Sequence, residues 1–227
     1  MTWVLQNLGL IGQLTLEHLR QSLIPIVISL VAAIPLGWVA WRYRLVRGTI
    51  VTVTGLLYTI PSLALLILLP AVFGYSPLSE VNLIVALTIC GVALMVRSVA
   101  DGLDSVSPDT RLAATAVGYG GFRRFWAVDL PLAGPVILAG LRVTAVSTIS
   151  LATVGILVGV INLGYLFTNG LQRRIVEEIL AGVVAVVVLA VVIDLLLVLL
   201  GRVLMPWSRR TPRDSATRVA LEAGAAA

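Results

Sequence analysis

The sequence contains no lysine, so all 16 of its basic side chains are arginine. This absence excludes a P-loop of the form G-x-x-x-x-G-K-[ST], because that motif places its lysine on the nucleotide phosphates. If the chain takes part in an ATP-driven process, another polypeptide must therefore hydrolyse the nucleotide. We accordingly expect that the chain is not an enzyme and carries no cofactor.

Charged residues of either sign are also scarce. They make up 12% of the chain, whereas 59% of the residues are hydrophobic, and a soluble domain has about 25% charged residues. Too few polar side chains are present to cover a surface that faces water, so we expect most of the surface to face lipid. The net charge of +5 could indicate nucleic-acid binding. Most arginines flank apolar runs, however, and membrane topology explains them without a nucleic-acid partner.

The chain has a single cysteine and a single histidine. Cys90 lies in an apolar run and is expected to be a small packing residue. His18 follows Glu17 near the N-terminus and is expected at the surface. The expected membrane spans contain one acid, one thiol and no histidine. The active site of an intramembrane hydrolase needs at least two cooperating groups. We expect neither a catalytic site nor a metal site.

What the sequence has in abundance is long apolar runs. About 20 residues of helix cross the roughly 30 Å of bilayer hydrocarbon. The predicted spans are residues 22–41, 49–73, 81–100, 135–160 and 179–201. The fold class is therefore an all-α membrane protein with about five transmembrane helices. We expect residues 1–21 to form an extracytoplasmic interfacial helix and the polar residues 206–227 to be a disordered tail.

The arginines are distributed unequally between the two sides of the membrane. With five alternating spans, thirteen arginines fall on the side of the connection after the first span, the long central loop and the C-terminus, and three fall on the other side. Cytoplasmic loops carry the excess of positive charge. We therefore expect the central loop and the C-terminus in the cytoplasm and the N-terminus outside.

The central loop, residues 101–134, has its own helix signals between the third and fourth predicted spans. Ser107 is a suitable N-cap, Pro108 a suitable first helical residue, and Asp109 an acid in the first turn. The glycines in residues 118–121 should end this helix. A second short helix should follow and end at Pro131. The loop is thus predicted to be two short helices lying beneath the membrane.

Two interpretations of this loop follow from its side chains. Small residues at positions 113, 114 and 118 would let a helix approach a groove on a partner protein. Alternatively, the aromatic residues at 122, 125 and 126 would rest at lipid headgroups, with the neighbouring arginines on phosphates. Periodicity alone does not separate a docking helix from a lipid-bound connector.

Residues 109–131 resemble the cytoplasmic loop of binding-protein-dependent ABC transporter permeases. The family pattern is E-A-A, three residues, Gly, nine residues and I-x-L-P. The chain has Ala113-Ala114, then Gly118 after three residues, and V-D-L-P from position 128 to Pro131 after nine more. Leu112 stands where the pattern has Glu, so a polar contact or cap that this Glu makes would be missing.

This resemblance implies a bacterial cell-membrane permease whose loop is a coupling helix for separate ATPases. It implies two ATPase subunits, a second permease chain that is identical or paralogous, and an extracytoplasmic substrate-binding protein. The residues that the resemblance assigns to the docking loop are Asp109, Arg111, Ala113, Ala114, Gly118, Phe122, Arg123 and Pro131.

Four stretches, residues 56–66, 96–102, 131–142 and 164–170, resemble the permease subgroup that imports glycine betaine, choline and carnitine. Permeases for methionine and other small solutes share much of this layout and remain the main alternative. A passive channel is a further alternative, although a channel does not need a docking loop.

Two features inside the spans are candidates for special roles. Pro61 interrupts the second span and frees a backbone carbonyl, so Tyr58, Pro61 and Ser62 either mark a simple kink or line the pathway. Asp194 lies eight residues before Arg202, roughly 12 Å from the cytoplasmic edge. Arg142 has a similar depth in the preceding span. We predict a structural Arg142–Asp194 ion pair rather than a direct role in transport.

Overall fold

The computed structural model describes residues 2–74 and 76–209. These residues form helices and connecting turns, with no strand among them, which confirms the predicted fold class. The α-helices are α1 (Thr2–Gln6), α2 (Leu8–Arg42), α3 (Arg44–Thr59), α4 (Ser62–Phe73), α5 (Glu80–Asp104), α6 (Pro108–Ala116), α7 (Gly121–Arg124), α8 (Leu130–Ala152), α9 (Gly164–Arg173) and α10 (Val176–Leu204).

The number of membrane crossings depends on how one bent pair of helices is counted. Four helical segments in the described part of the chain are long and apolar enough to cross a membrane: α2, α5, the run Gly121–Val158, and α10. A fifth crossing exists if α3 and α4 together form one span. The structure thus has four to five membrane-capable helices, in line with the prediction of about five.

The first long helix begins well before the predicted span. The sequence suggested a separate interfacial segment up to residue 21, but α2 continues without a break from Leu8 to Arg42. His18 is completely buried, so its expected surface position is wrong. Gln21 and Ser22 are buried beside it. These polar residues lie on the same buried face of α2 as the apolar residues that follow them, so the helix does not end between the two.

The predicted second span is broken into two helices. α3 and α4 meet at an angle of 104°. Ile60, which caps α3, has an extended backbone with ψ 124°, as expected for a residue that precedes proline. Pro61 therefore ends one helix and begins the next, instead of producing a slight kink in a single span. The first of the two helices also begins at Arg44, earlier than the predicted residue 49.

The bundle core is formed by α5 between α2 and α8. Small residues allow these helices to approach closely, as is typical of helix packing in lipid. A Cβ atom at Gly37 of α2 would lie 2.6 Å from the Val99 side chain of α5. On α5 itself, an added Cβ at Gly102 would lie 3.1 Å from the carbonyl oxygen of Ala133 on α8. The core therefore has no space for larger side chains at these contacts.

The last two predicted spans also have different ends. The fourth, predicted as residues 135–160, belongs to a helical run that starts at Gly121 and continues through a π-helical turn, α8 and a 3₁₀ turn to Val158. The fifth, predicted as 179–201, is α10, and the connector before it contains the additional helix α9. A 3₁₀ turn, Pro206–Arg209, follows α10. The rest of the predicted tail lies outside the described residues.

Candidate functional site

The first helix of the central loop begins as its sequence predicts. Ser107 is the N-cap of α6, and its Oγ accepts a hydrogen bond of 3.3 Å from the backbone N–H of Asp109. Pro108 occupies the first turn, where its missing N–H costs no hydrogen bond. Two residues after the helix ends, Gly118 has φ +96°. An added Cβ would meet no described atom within 4 Å, so space does not require glycine at this position. The positive φ does, because residues with a side chain rarely adopt it.

A buried carboxylate holds the two halves of the loop together. Asp129 is only 1% exposed. Its Oδ1 accepts a hydrogen bond of 3.0 Å from Arg111 Nε, and its Oδ2 accepts one of 3.3 Å from Arg124 Nε. Arg124 also donates from NH1 to Thr115 Oγ1 at 3.1 Å. Charge-assisted hydrogen bonds of this kind are stronger than neutral ones. We call Asp129, Arg111 and Arg124 the loop clamp.

The loop clamp is also fastened to the helices above it. Arg111 donates from NH2 to the carbonyl oxygen of Leu103 near the end of α5. Its guanidinium carbon lies 4.7 Å from the centre of the Trp41 ring of α2, within the range of a cation–π interaction. In the second half of the loop, Phe125 packs edge-on against Trp38 of α2 with ring centres 6.1 Å apart. Both halves of the loop therefore contact α2.

The expected helix end at Pro131 is not found. The chain from Gly121 passes through a π-helical turn, Phe125–Asp129, directly into α8. In that turn the N–H of Leu130 bonds to the carbonyl oxygen of Phe125, five residues earlier. Proline has no N–H to donate, and in a regular α-helix its ring would clash with the carbonyl group four residues earlier. The wider π turn accommodates Pro131 and joins the loop to a membrane helix without a break.

The loop also has several exposed apolar side chains. Within the described part of the chain, α6 contains no buried residue. The most exposed large side chains are Val117 and Phe122, at 80% and 81%, and Leu112 and Trp126 are exposed as well. Ala113 is exposed, and Ala114 is partly exposed. Arg123 stacks on the Tyr119 ring at 4.9 Å. The loop is thus fastened to α2 and α5, and its exposed apolar side chains are left uncovered by the part of the chain that the structure describes.

The other predicted sites lie away from the loop. Tyr58 is exposed at the end of α3, Pro61 is exposed at the bend, and Ser62 begins α4. Arg142 and Asp194 meet directly: Nε donates to Oδ1 and NH2 to Oδ2, both at 2.7 Å. The structure thus brings the predicted pair together. Whether its role is structural remains a prediction.

The role of Asp129 is not predicted from the sequence, and Arg124 is predicted only as part of a basic surface. The signal available was an acid inside an otherwise apolar stretch, five residues after an arginine. Among the described residues, no group of three or more His, Cys, Asp or Glu side chains could hold a metal ion.

Three comparisons with known proteins bear on this arrangement. The family model described as "Binding-protein-dependent transport system inner membrane component" matches residues 26–210. The choline transport system permease protein OpuBB of Bacillus subtilis (strain 168) is 34% identical over 192 residues, which cover 85% of this chain and 87% of the relative. The glycine betaine/carnitine/choline transport system permease protein OpuCB of the same organism is 32% identical, covering 91% of this chain and 94% of the relative.

A third relative and one solved structure are also similar to this chain. The osmoprotectant import permease protein OsmW of Salmonella typhimurium is 29% identical, covering 90% of this chain and 96% of the relative. An inward-facing structure of the MetNI methionine ABC transporter has a chain that superposes with a TM-score of 0.76 at 20% identity, covering 87% of this chain and 97% of that chain. At this identity the superposition is evidence for the fold alone.

Proposed function

Because the chain belongs to the family of inner membrane components of binding-protein-dependent transport systems, we propose that it is the permease subunit of an ATP-binding cassette importer for small quaternary amines such as glycine betaine, choline and carnitine. The observation that carries the proposal is the loop of residues 109–131. It has the family spacing, is clamped to the membrane helices by Asp129, and exposes an apolar face. The substrate class comes from the relatives named for choline, carnitine and glycine betaine transport.

The proposal assigns ATP hydrolysis to a partner. The exposed face of α6 and the Phe122 ring would dock in a groove of a separate ATPase, in the manner of a helix laid into a groove. A chain without lysine needs such a subunit, since it has no P-loop lysine of its own. The working assembly would contain two ATPases, two permease chains and an extracytoplasmic binding protein. The arginine distribution supports a cytoplasmic position for the docking loop, on the side where ATP is found.

The broken pair α3 and α4 is the best candidate for the wall of the pathway. Within the described residues, Thr54 is the one buried residue of α3. Its exposed positions include five small or polar residues: Gly48, Thr49, Thr52, Gly55 and Thr59. The exposed large residues of α10, by contrast, are all Val or Leu, which suits lipid. A face rich in threonine and glycine suits another protein chain or a water-filled path, so we assign it to the contact with the second permease.

Tyr58 is the aromatic residue that this assignment brings to the pathway. It is exposed next to the bend between α3 and α4. An aromatic ring attracts a quaternary ammonium group through its face. Two permease chains would supply two such rings on opposite sides of one path. The binding protein would still perform most of the substrate selection.

Other substrates are not favoured by a particular observation. The methionine transporter resembles this chain in fold at 20% identity, which carries no information on substrate. A passive channel would not require the clamped loop. The relatives at 29–34% identity therefore decide the substrate class that we propose.

The test is uptake of labelled glycine betaine, choline and carnitine by cells that lack this gene and receive it back with its partner genes. Ala113→Arg places a large charge on the exposed face of α6 without meeting the helix bundle. Leu45→Arg adds the same charge in the first turn of α3, at a residue that is 98% exposed. We expect uptake with the wild type and with Leu45→Arg, and none with Ala113→Arg.

Two results would contradict the proposal in different ways. Failure of the assembled wild type to transport any of the three amines would refute the substrate class. Equal uptake by Ala113→Arg and the wild type, at equal amounts of permease in the membrane, would refute the docking role of α6.

A further inference from the structure

A group of buried side-chain hydrogen bonds joins α2 to the far end of α8. His18 is 0% exposed, and its Nε2 lies 2.9 Å from the carbonyl oxygen of Ile149. A carbonyl only accepts, so Nε2 carries the proton. Its Nδ1 has no hydrogen-bond partner among the described residues. One turn further along α2, Gln21 donates from Nε2 to the carbonyl oxygen of Ile161 at 3.1 Å.

Asn162 is the centre of this group. Its Nδ2 donates to Gln21 Oε1 at 3.0 Å and to the carbonyl oxygen of Ala152 at 2.8 Å. Its Oδ1 accepts from the backbone N–H of Gly164 at 2.8 Å. The side chain is fully buried. At this one amide, Gln21 of α2 thus meets the end of α8 and the connector before α9, which are more than 130 residues away from it in sequence. We call His18, Gln21 and Asn162 the outer lock.

The outer lock satisfies backbone groups that the end of a helix leaves open. The last four carbonyls of a helix have no partner within it, and α8 ends at Ala152 inside the protein. Side chains of the lock bond to two of these carbonyls, at Ile149 and Ala152. The backbones are packed so tightly here that a Cβ on Gly164 would collide with the carbonyl oxygen of Thr153. The lock therefore holds one arrangement of the chain rather than a loose junction.

The lock lies at one end of a continuous helical run whose other end is the docking loop. The run Gly121–Val158 contains 38 residues, roughly 57 Å at the rise of an α-helix. At the loop end, Asp129 fastens it to Arg111, and Phe125 packs on Trp38 of α2. At the other end, the lock fastens it to α2 again. Helix α2 thus holds this run at both ends.

We propose that His18, Gln21 and Asn162 are positioning residues that make the outer end of the permease follow movements of the docking loop. This inference rests on the proposed function, which supplies an ATPase at the loop and a binding protein at the outer end. The run and α2 then move as one body because neither end can turn independently. Energetic coupling between two sites is reciprocal. The same connection would carry the signal from a docked binding protein to the ATPases.

The experiment measures ATP hydrolysis and uptake by the complete complex in liposomes, with and without glycine betaine-loaded binding protein. Asn162→Ala removes the central amide. Asn162→Asp keeps an acceptor for Gly164 but loses the two donated hydrogen bonds. We expect both to retain hydrolysis without the binding protein and to lose stimulation by it by about fivefold or more, in the range of ordinary allosteric coupling. Uptake should fall in parallel.

Asn82→Ala is the matched control. Asn82 is also a fully buried asparagine, and its Nδ2 donates to the carbonyl oxygens of Leu66 and Pro77, so it joins α5 to α4 and not to α8. Its loss should leave the stimulation per assembled complex unchanged. If either Asn162 variant fails to assemble, Gln21→Ala, which removes the contact at the edge of the lock, is measured in the same way.

Each outcome decides something. Stimulation of an Asn162 variant or of Gln21→Ala at the wild-type level, per assembled complex, would overturn the inference. Equal loss in Asn82→Ala would also overturn it, because any missing buried hydrogen bond would then have the same effect. A wild-type complex without stimulation by the binding protein would instead refute the proposed function on which the inference rests.

Discussion

Removing the charge of Asp129 should uncouple the permease while leaving its membrane helices assembled. In Asp129→Asn the side chain keeps its size but loses its negative charge. One of its two positions now carries an NH₂ group, which faces an arginine donor instead of accepting from it. Arg111 and Arg124, which are 16% and 26% exposed, would then lie close together without the carboxylate that pairs them.

The size of the effect follows from the contacts of the clamp. Removing one partner of a buried ion pair costs about 3–5 kcal/mol. Both arginines retain some access to water, so we expect a smaller cost, about 2–3 kcal/mol, for the interaction that holds α6 in position. This free energy shifts the balance between fixed and displaced positions of α6 by roughly 30- to 150-fold. The helix has no buried residue of its own to compensate within the described structure.

The assay is transport and ATP hydrolysis by the reconstituted complex, expressed as substrate moved per ATP hydrolysed. We expect Asp129→Asn to lower this ratio by about tenfold or more, since a shift of 1.4 kcal/mol already corresponds to a factor of ten. The amount of permease in the membrane should remain close to that of the wild type, because the apolar core between α2, α5 and α8 is untouched.

Asp194→Asn is the matched control for this prediction. It makes the same chemical change in another carboxylate held by an arginine, but the pair with Arg142 lies on α8 and α10, away from the loop. We expect it to lower the yield or melting temperature of the permease and to leave the transport ratio unchanged. A wild-type ratio in assembled Asp129→Asn would refute the clamp. A lowered ratio in normally assembled Asp194→Asn would refute the structural role of that pair.

Two further predictions follow from single positions. Gly164→Ala should destabilise the permease by about 1–3 kcal/mol, because its Cβ would collide with the carbonyl oxygen of Thr153. Gly9→Ala has open space around it and should be neutral or stabilising. The melting temperatures of the two purified variants are compared, and equal values would contradict the tight packing at Gly164. Tyr58→Phe keeps the aromatic ring and should leave the KM for uptake of a quaternary amine unchanged, whereas Tyr58→Ala should raise this KM by roughly tenfold. Equal KM values for the two variants would contradict the assignment of Tyr58 to the pathway.

Local signals in the sequence were sufficient for the first helix of the loop. Ser107, Pro108 and Gly118 have capping and turn preferences that act within a few residues, and the structure places a cap, a helix start and a positive φ at them. The Arg142–Asp194 contact could also be anticipated, because two charges at equal depth in antiparallel spans have few other partners in lipid. Both cases depend on distances along a helix, which the sequence contains directly.

Long-range packing explains what the sequence could not predict. Glu17, His18 and Arg20 resemble the polar end of a span, so the sequence predicts a separate interfacial helix up to residue 21 and a membrane span that begins after it. His18 instead bonds to Ile149, which is 131 residues away, and Gln21 bonds to Asn162, which is 141 residues away. A polar residue followed by an apolar run has the same pattern whether it faces headgroups or a buried carbonyl. Only the position of the distant partner distinguishes the two.

The replacement of the motif glutamate by Leu112 fits the same physical picture. Leu112 is exposed on the outer face of α6, so an acid at this position would point away from the bundle and could not hold the loop to it. The acid that does hold the loop is Asp129, which lies at the variable position of the I-x-L-P part of the pattern and contacts Arg111 directly. Attachment of the loop to the membrane helices and its proposed contact with an ATPase therefore depend on different residues. A change at Leu112 can alter the second function without weakening the first.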